Sequence, residues 1–183
     1  MRGPCAQCGS HGVWTRLAAG PMIKRILVFG IGIMLAAAST SIAQTADPRI
    51  GTWKLDLTAS KYNPGPPPKS QSLKFEPSGD GFKFTSDAVS AQGQTTHTET
   101  VAKLDGKDYP VTRPASSPPG ATSRAYKRIN ARTIEAQDKV KDVLSFKRTE
   151  VVSADGKTLT VTQTGPDPIQ GRSVNNVLVY DKQ

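Results

Sequence analysis

The sequence predicts an all-β fold, an antiparallel up-and-down meander β-barrel of about 8–10 strands without a helical lid. Three observations predict it. From Gly51 onward apolar and polar residues alternate with period two, and no window sustains a helical spacing over three turns. Turn chemistry interrupts the alternation at short intervals. Along each stretch one side is apolar and the other is Lys, Thr, Asp and Ser, the pattern of an antiparallel sheet wrapped around its own interior. Consecutive hairpins favour a closed barrel over a sandwich.

The chain begins with an address rather than with the barrel. Met22-Ile23-Lys24-Arg25 precedes a run of 13 almost wholly apolar residues, Ile26 to Ala38, followed by Ser39 to Ala43. These are the n, h and c regions of a secretory signal, residues 22–43. At roughly 1.5 Å per residue the run would cover about 20 Å as a helix, short of the roughly 30 Å hydrocarbon core of a membrane. Ser41 and Ala43 place small residues at −3 and −1 of a cleavage before Gln44, and no Cys follows the apolar run to accept a lipid. Residues 1–21 precede the natural initiator Met22 and read as an extension produced by a misplaced gene start. They carry Cys5-x-x-Cys8 with His11 nearby, but no second ligand pair and no βαβ context that would make this a zinc or redox site.

The expected mature chain, residues 44–183, is one domain. The candidate strands are 51–57, 70–76, 81–89, 94–104, 107–112, 122–129, 132–140, 143–153, 157–164 and 173–181. Gly79-Asp80-Gly81, Asp105-Gly106, Asn130-Ala131 and Asp155-Gly156 lie between strands and supply residues tolerant of positive φ. Trp53, Leu55 and Leu57 share one face, as do Leu73 with Phe75, Phe82 with Phe84, Leu144 with Phe146, Leu159 with Val161, and Leu178 with Tyr180. Two stretches break the alternation. Tyr62 to Pro68 contains four prolines and reads as an extended crossing at a barrel end, and Pro114 to Gly120 reads as a small-residue loop.

Gly51-Thr52-Trp53-Lys54-Leu55 opening the first strand, Asp155-Gly156-Lys157-Thr158-Leu159-Thr160 at the penultimate hairpin and Val179-Tyr180-Asp181-Lys182 closing the last strand resemble the lipocalin and fatty-acid-binding protein (calycin) superfamily, and more narrowly small exported bacterial lipocalin-like proteins. The resemblance implies a barrel plugged at one end by Trp53, with a cavity able to hold a small hydrophobic molecule. Two departures limit what carries over. Residues 58–69 are too short and too rich in proline for the helix-turn-helix lid of intracellular fatty-acid-binding proteins. Their carboxylate-holding Arg-x-Tyr pair on the last strand reads Leu178-Val179-Tyr180 here, so that only the tyrosine remains.

Composition narrows the chemistry. The whole chain has 24 Lys+Arg against 15 Asp+Glu; removing residues 1–43 takes away Arg2, Arg16, Lys24 and Arg25 and no acids, leaving 20 against 15, a net charge of +5. The signs are interspersed, so no nucleic-acid footprint is expected. The mature region has one histidine, His97, and no cysteine, which removes a His/Cys metal centre. No phosphate loop, dinucleotide fingerprint or calcium loop is present, and no cofactor is expected. His97 and Glu99 share a strand face, but no serine or threonine sits in a recognisable nucleophile setting, and Thr95, His97 and Glu99 read as a solvated outer face. Glu76, Glu99, Glu135 and Glu150 lie on separate strands, and the sequence selects no glycosidase-like pair among them.

The most informative constellation is Arg124, Tyr126 and Arg128, alternating on one strand, with Arg148 two positions beyond Phe146. If Tyr126 faces inward, both arginines do too. A buried guanidinium without a partner costs several kcal/mol, more than the roughly 1.5–3 kcal/mol gained by burying one phenylalanine, so inward arginines demand a counter-charge. Glu150 or an anionic ligand could supply it. The sequence therefore predicts an exported, periplasmic or secreted, non-enzymatic monomer with no membrane anchor after cleavage. Its barrel would bind a small apolar or anionic amphipathic molecule, with cavity candidates Trp53, Phe82, Phe84, Arg124, Tyr126, Arg128, Phe146, Arg148 and Tyr180. The competing expectations are a barrel filled by its own side chains, with an external protein or polysaccharide partner, and a small enzyme using His97.

Overall fold

The computed structural model describes residues 46–167 and 171–183, so the signal segment and the preceding extension with Cys5, Cys8 and His11 lie outside the described residues. Ten strands follow one another: β1 (Gly51–Lys61), β2 (Ser70–Ser78), β3 (Gly81–Val89), β4 (Thr95–Ala102), β5 (Asp105–Pro110), β6 (Ser123–Arg128), β7 (Thr133–Val140), β8 (Val143–Val152), β9 (Thr158–Asp167) and β10 (Arg172–Lys182). There is no helix among the described residues. The strands form one antiparallel sheet in the order β4-β3-β2-β1-β10-β9-β8-β7-β6-β5, so every pairing except β1 with β10 joins chain neighbours. The sheet curls until its two edges meet through a single bridge, in which Glu99 and Thr112 exchange N–H to C=O bonds of 2.9 and 2.8 Å. The result is a nearly closed up-and-down barrel, without a helical lid among the described residues.

The alternation expected from the sequence puts Trp53, Leu73, Phe75, Phe82, Phe84, Tyr126, Leu159, Val161, Leu178 and Tyr180 inside, all buried. Two assignments need correction, and both fail at bulges. The register between β1 and β10 jumps from Asp56↔Val179 to Lys61↔Val177, and Ser60 Oγ accepts the Val179 N–H at 2.9 Å inside that jump. Leu57 consequently leaves the Trp53–Leu55 face and is 40% exposed. On β8, Phe146 opposes the buried Asp138 whereas Leu144 opposes Lys139, so one extra residue between them puts Leu144 and Phe146 on different faces.

The turn chemistry differs in two places. Asp105-Gly106 is not the β4–β5 turn: Gly106, at φ 79°, lies inside β5, where the pairing with β6 is irregular between Asp105 and Asp108. Its left-handed backbone serves a bulge, and the chain reverses at Lys103-Leu104 instead. The tight reversal between β7 and β8 puts Lys141 (φ 48°) and Asp142 (φ 66°) in the left-handed region without a glycine. Val140 pairs with Val143 across it, a two-residue hairpin whose twist suits the strands and outweighs the local cost.

Candidate functional site

The barrel interior has two halves. In the first, which contains Trp53, Phe75, Phe82, Tyr126, Ile134 and Leu159, side chains fill the space around the fully buried Arg49. Arg49 precedes β1 and enters the barrel end from the turn at Asp47. Its Nη2 donates to Asp47 Oδ2 at 2.7 Å and its Nη1 to Glu150 Oε2 at 2.6 Å. The guanidinium lies 4.6 Å from the ring centre of Phe75, 4.5 Å from that of Phe82 and 5.2 Å from that of Tyr126. Its backbone carbonyl accepts the Trp53 indole N–H at 2.6 Å. Burial works against the charge, but Glu150 and Asp47 outweigh it and hold the guanidinium more firmly protonated than usual.

The other half contains a cavity of about 370 Å³. Leu73, Phe84, Phe146, Val161 and Leu178 give it apolar walls, and Arg113, Arg124, Arg148, Asp138 and Glu150 bring charge to it. Asp138 is the centre of the polar part. Arg124 donates to both of its oxygens, the second at 3.1 Å, and Arg148 Nη2 donates to Oδ1 at 2.7 Å. Burial alone would raise the Asp138 pKa, but Arg124 and Arg148 outweigh burial and hold the carboxyl below its ordinary range. Arg124 completes its set with Tyr126 Oη at 3.3 Å and stacks 4.9 Å from the ring centre of Phe84. Arg148 does not complete its set: its Nε–H is buried without a protein partner. Arg113, on the loop after β5, donates only to the carbonyls of Pro118 and Ala121. Burial and the like charge of Arg124 lower its affinity for the proton. Three guanidinium groups thus face one carboxylate that is theirs, because Glu150 is already held by Arg49.

Scanning the chain against protein-family models and comparing it with curated proteins gives no match. The site is therefore read from its own geometry. Of the nine residues singled out in the sequence, Phe84, Arg124, Phe146, Arg148 and Tyr180 line the cavity. Trp53, Phe82 and Tyr126 belong to the filled half, and Arg128 lies with them, two positions along β6 from Tyr126, where its charge acts on Asp47. The counter-charge of Arg124 is Asp138, not Glu150. Asp47, Arg49 and Asp138 escaped the sequence reading, yet Asp138 carried a signal. Ile134, Ala136 and Asp138 alternate on one strand, and counting outward from the Asn130-Ala131 turn sets Arg128 opposite Ile134 and Arg124 opposite Asp138. Arg49 lies before the first alternating stretch and carried none.

Outside the barrel, His97 Nδ1 lies 2.6 Å from Asp87 Oδ1 and Nε2 lies 3.6 Å from Glu99 Oε1. The hydrogen bond to Asp87 raises the imidazole pKa, which favours an imidazolium over a general base. Among the described residues no serine or threonine is hydrogen-bonded to the ring. An open groove of about 840 Å³ runs past this pair along the outward faces of β1 to β3, where Thr52, Lys54, Ser70 and Ser72 line it. It is larger than the interior cavity and mixes apolar residues such as Leu57 and Val89 with polar ones, but none of the buried arginines lines it, and it holds no ion-pair constellation comparable to Arg124–Asp138–Arg148.

Proposed function

We propose that the protein is an exported, non-enzymatic lipocalin-like barrel that holds a small hydrophobic or amphipathic molecule in its interior, with an anionic group of that molecule set against Arg148. The observation that carries this reading is the cavity of about 370 Å³, whose apolar walls surround an arginine with a buried, unpartnered Nε–H. Cavities of a few hundred Å³ with mostly apolar walls and a few convergent polar groups are the usual form of small-molecule sites. A charge-assisted hydrogen bond from Arg148 would fix the orientation of the bound group, and the exclusion of water would strengthen it.

The second reading, a structural barrel with an external protein or polysaccharide partner, is favoured by the half of the interior that its own side chains fill around Arg49. Titration of the purified protein with the anionic apolar dye 1-anilinonaphthalene-8-sulfonate separates the two. The binding reading expects one saturable fluorescent site, weakened about tenfold in Arg148→Met, because a hydrogen bond to a charged group contributes about 1.5–3 kcal/mol. No saturable signal, or a signal that neither Arg148→Met nor the cavity-filling Leu73→Trp changes, favours the filled barrel.

A further inference from the structure

The inward faces of the strands change character along the barrel. Towards the cavity of about 370 Å³, Leu73 gives way to Gln71 on β2, Phe84 to Ser86 on β3 and Val161 to Gln163 on β9. Thr98 on β4, Asp138 on β7 and Arg148 on β8 also line it. The cavity is therefore belted by polar side chains on six strands. A barrel that buries only its own core keeps its inward positions apolar, so this belt is chemistry the packing does not need.

Two parts of the belt face each other. Arg148 lies on β8 and Ser86 on β3, with β2, β1, β10 and β9 between them in one direction round the sheet and β4, β5, β6 and β7 in the other. They stand on opposite walls. On the Arg148 wall the Nε–H is buried without a partner. On the Ser86 wall Tyr180 Oη donates to Gln71 Oε1 at 2.9 Å, and Gln71 Nε2 donates to Ser86 Oγ at 3.1 Å. This chain of donors runs one way and ends at Ser86, whose own hydroxyl hydrogen is left to give into the cavity. Thr98 is the cross-strand partner of Ser86 and brings a second hydroxyl to the same wall. On strands between the two walls, Leu73, Val161 and Leu178 supply an apolar middle.

We propose that the cavity takes a compact aromatic acid that is polar at both ends, its anionic group on Arg148 and a hydroxyl at its far end on Ser86 and Thr98, and that these two hydroxyls select it against alkyl-chain acids. This proposal rests on the interior being a binding site, and it adds the ligand class and the residues that choose it. An alkyl chain reaching the far wall would bury the Ser86 and Thr98 hydroxyls without partners and would lose its own freedom on binding. A rigid ring spans the apolar middle with little left to order and returns a hydrogen bond at each end.

Calorimetric titration of the purified protein with 6-hydroxy-2-naphthoate, 2-naphthoate and decanoate tests it. The hydroxylated acid should bind about tenfold more tightly than 2-naphthoate, which leaves the far-wall hydroxyls unpaired, and more tightly than decanoate. Ser86→Ala combined with Thr98→Val should bring the two naphthoates to within about twofold of each other, whereas Arg148→Met should weaken both and keep their ratio. If the double variant does not fold, Thr98→Val, which keeps the shape of the side chain, carries the test by lowering the ratio about threefold. Equal affinities for the two naphthoates, a preference indifferent to Ser86 and Thr98, or decanoate binding as tightly as the hydroxylated acid would overturn the ligand class and leave the interior site standing. Failure of all three acids where the anionic dye still binds would do the same. Failure of the acids and the dye alike would overturn the binding reading with it.

Discussion

Two clusters of buried arginine occupy opposite halves of the same barrel, and they are built to different ends. Around Arg49 one guanidinium meets two carboxylates, Asp47 and Glu150, and three aromatic faces. Around Asp138 two guanidinium groups share one carboxylate, a third stands nearby on a loop, and Arg148, which lines the cavity, keeps a buried N–H without a partner. Taking charges out of water costs several kcal/mol per ion unless close partners offset it. Arg49 meets that condition wholly from its own chain, although Arg128 in the same half keeps a buried Nη1 without a partner. The second cluster meets it only in part and borders a cavity. The difference teaches that a buried charge marks a candidate binding site only when its partner set is incomplete.

The comparison can be broken by mutation. Arg49→Ala leaves Asp47 and Glu150 without their buried partner and should cost about 3–5 kcal/mol, read as a lowered urea midpoint. Dye binding by the folded fraction should be retained. Asp138→Asn should come next, at about 3 kcal/mol, because Arg124 and Arg148 lose their common counter-charge. Arg148→Met should change stability by less than about 1 kcal/mol, since a hydrophobe of similar length replaces a half-satisfied ion, yet it should weaken dye binding about tenfold. If Arg148→Met proves as destabilising as Arg49→Ala, the two halves are alike and the cavity has no special standing.

Acid titration sharpens the same contrast. The Asp138 carboxyl lies below its ordinary value of 3.8 in the folded protein. Its contribution to stability is complete above that ordinary value and is lost as the pH falls through the depressed one. Urea midpoints measured from about pH 5 down to about pH 2 should therefore fall below about pH 4 for the unmodified protein and fall less for Asp138→Asn. An identical slope would show that Asp138 does not hold its charge through those arginines. The smallest effect belongs to the outer face: His97→Gln should change stability by less than about 0.5 kcal/mol, because exposed ion pairs contribute little.

Much of the barrel was legible in the sequence, because one-sided burial writes a period of two into every strand. The 81–89 strand matches β3 end for end, and Phe82 and Phe84 face inward as the alternation required. Legibility stopped wherever one residue was added without a compositional mark. Leu57 leaves the core because the Ser60 hydroxyl takes the place of a backbone partner, and Leu144 parts from Phe146 at a bulge containing no glycine or proline. The cavity was half visible. Arg124, Arg148 and Tyr180 could be found by alternation, but their division from Trp53, Tyr126 and Arg128 depends on height along the barrel axis, which a face pattern does not encode. Arg49 was out of reach because it acts from outside any strand.

The central claim is that the half-filled end of the barrel holds a ligand through Arg148. Native mass spectrometry of the protein purified under mild conditions from its own host, alongside the Arg148→Met variant, tests it most directly. The account predicts a discrete adduct on the unmodified protein, released by solvent extraction and missing from the variant. A clean ligand-free mass for both, with no uptake of the apolar dye by either, would contradict it.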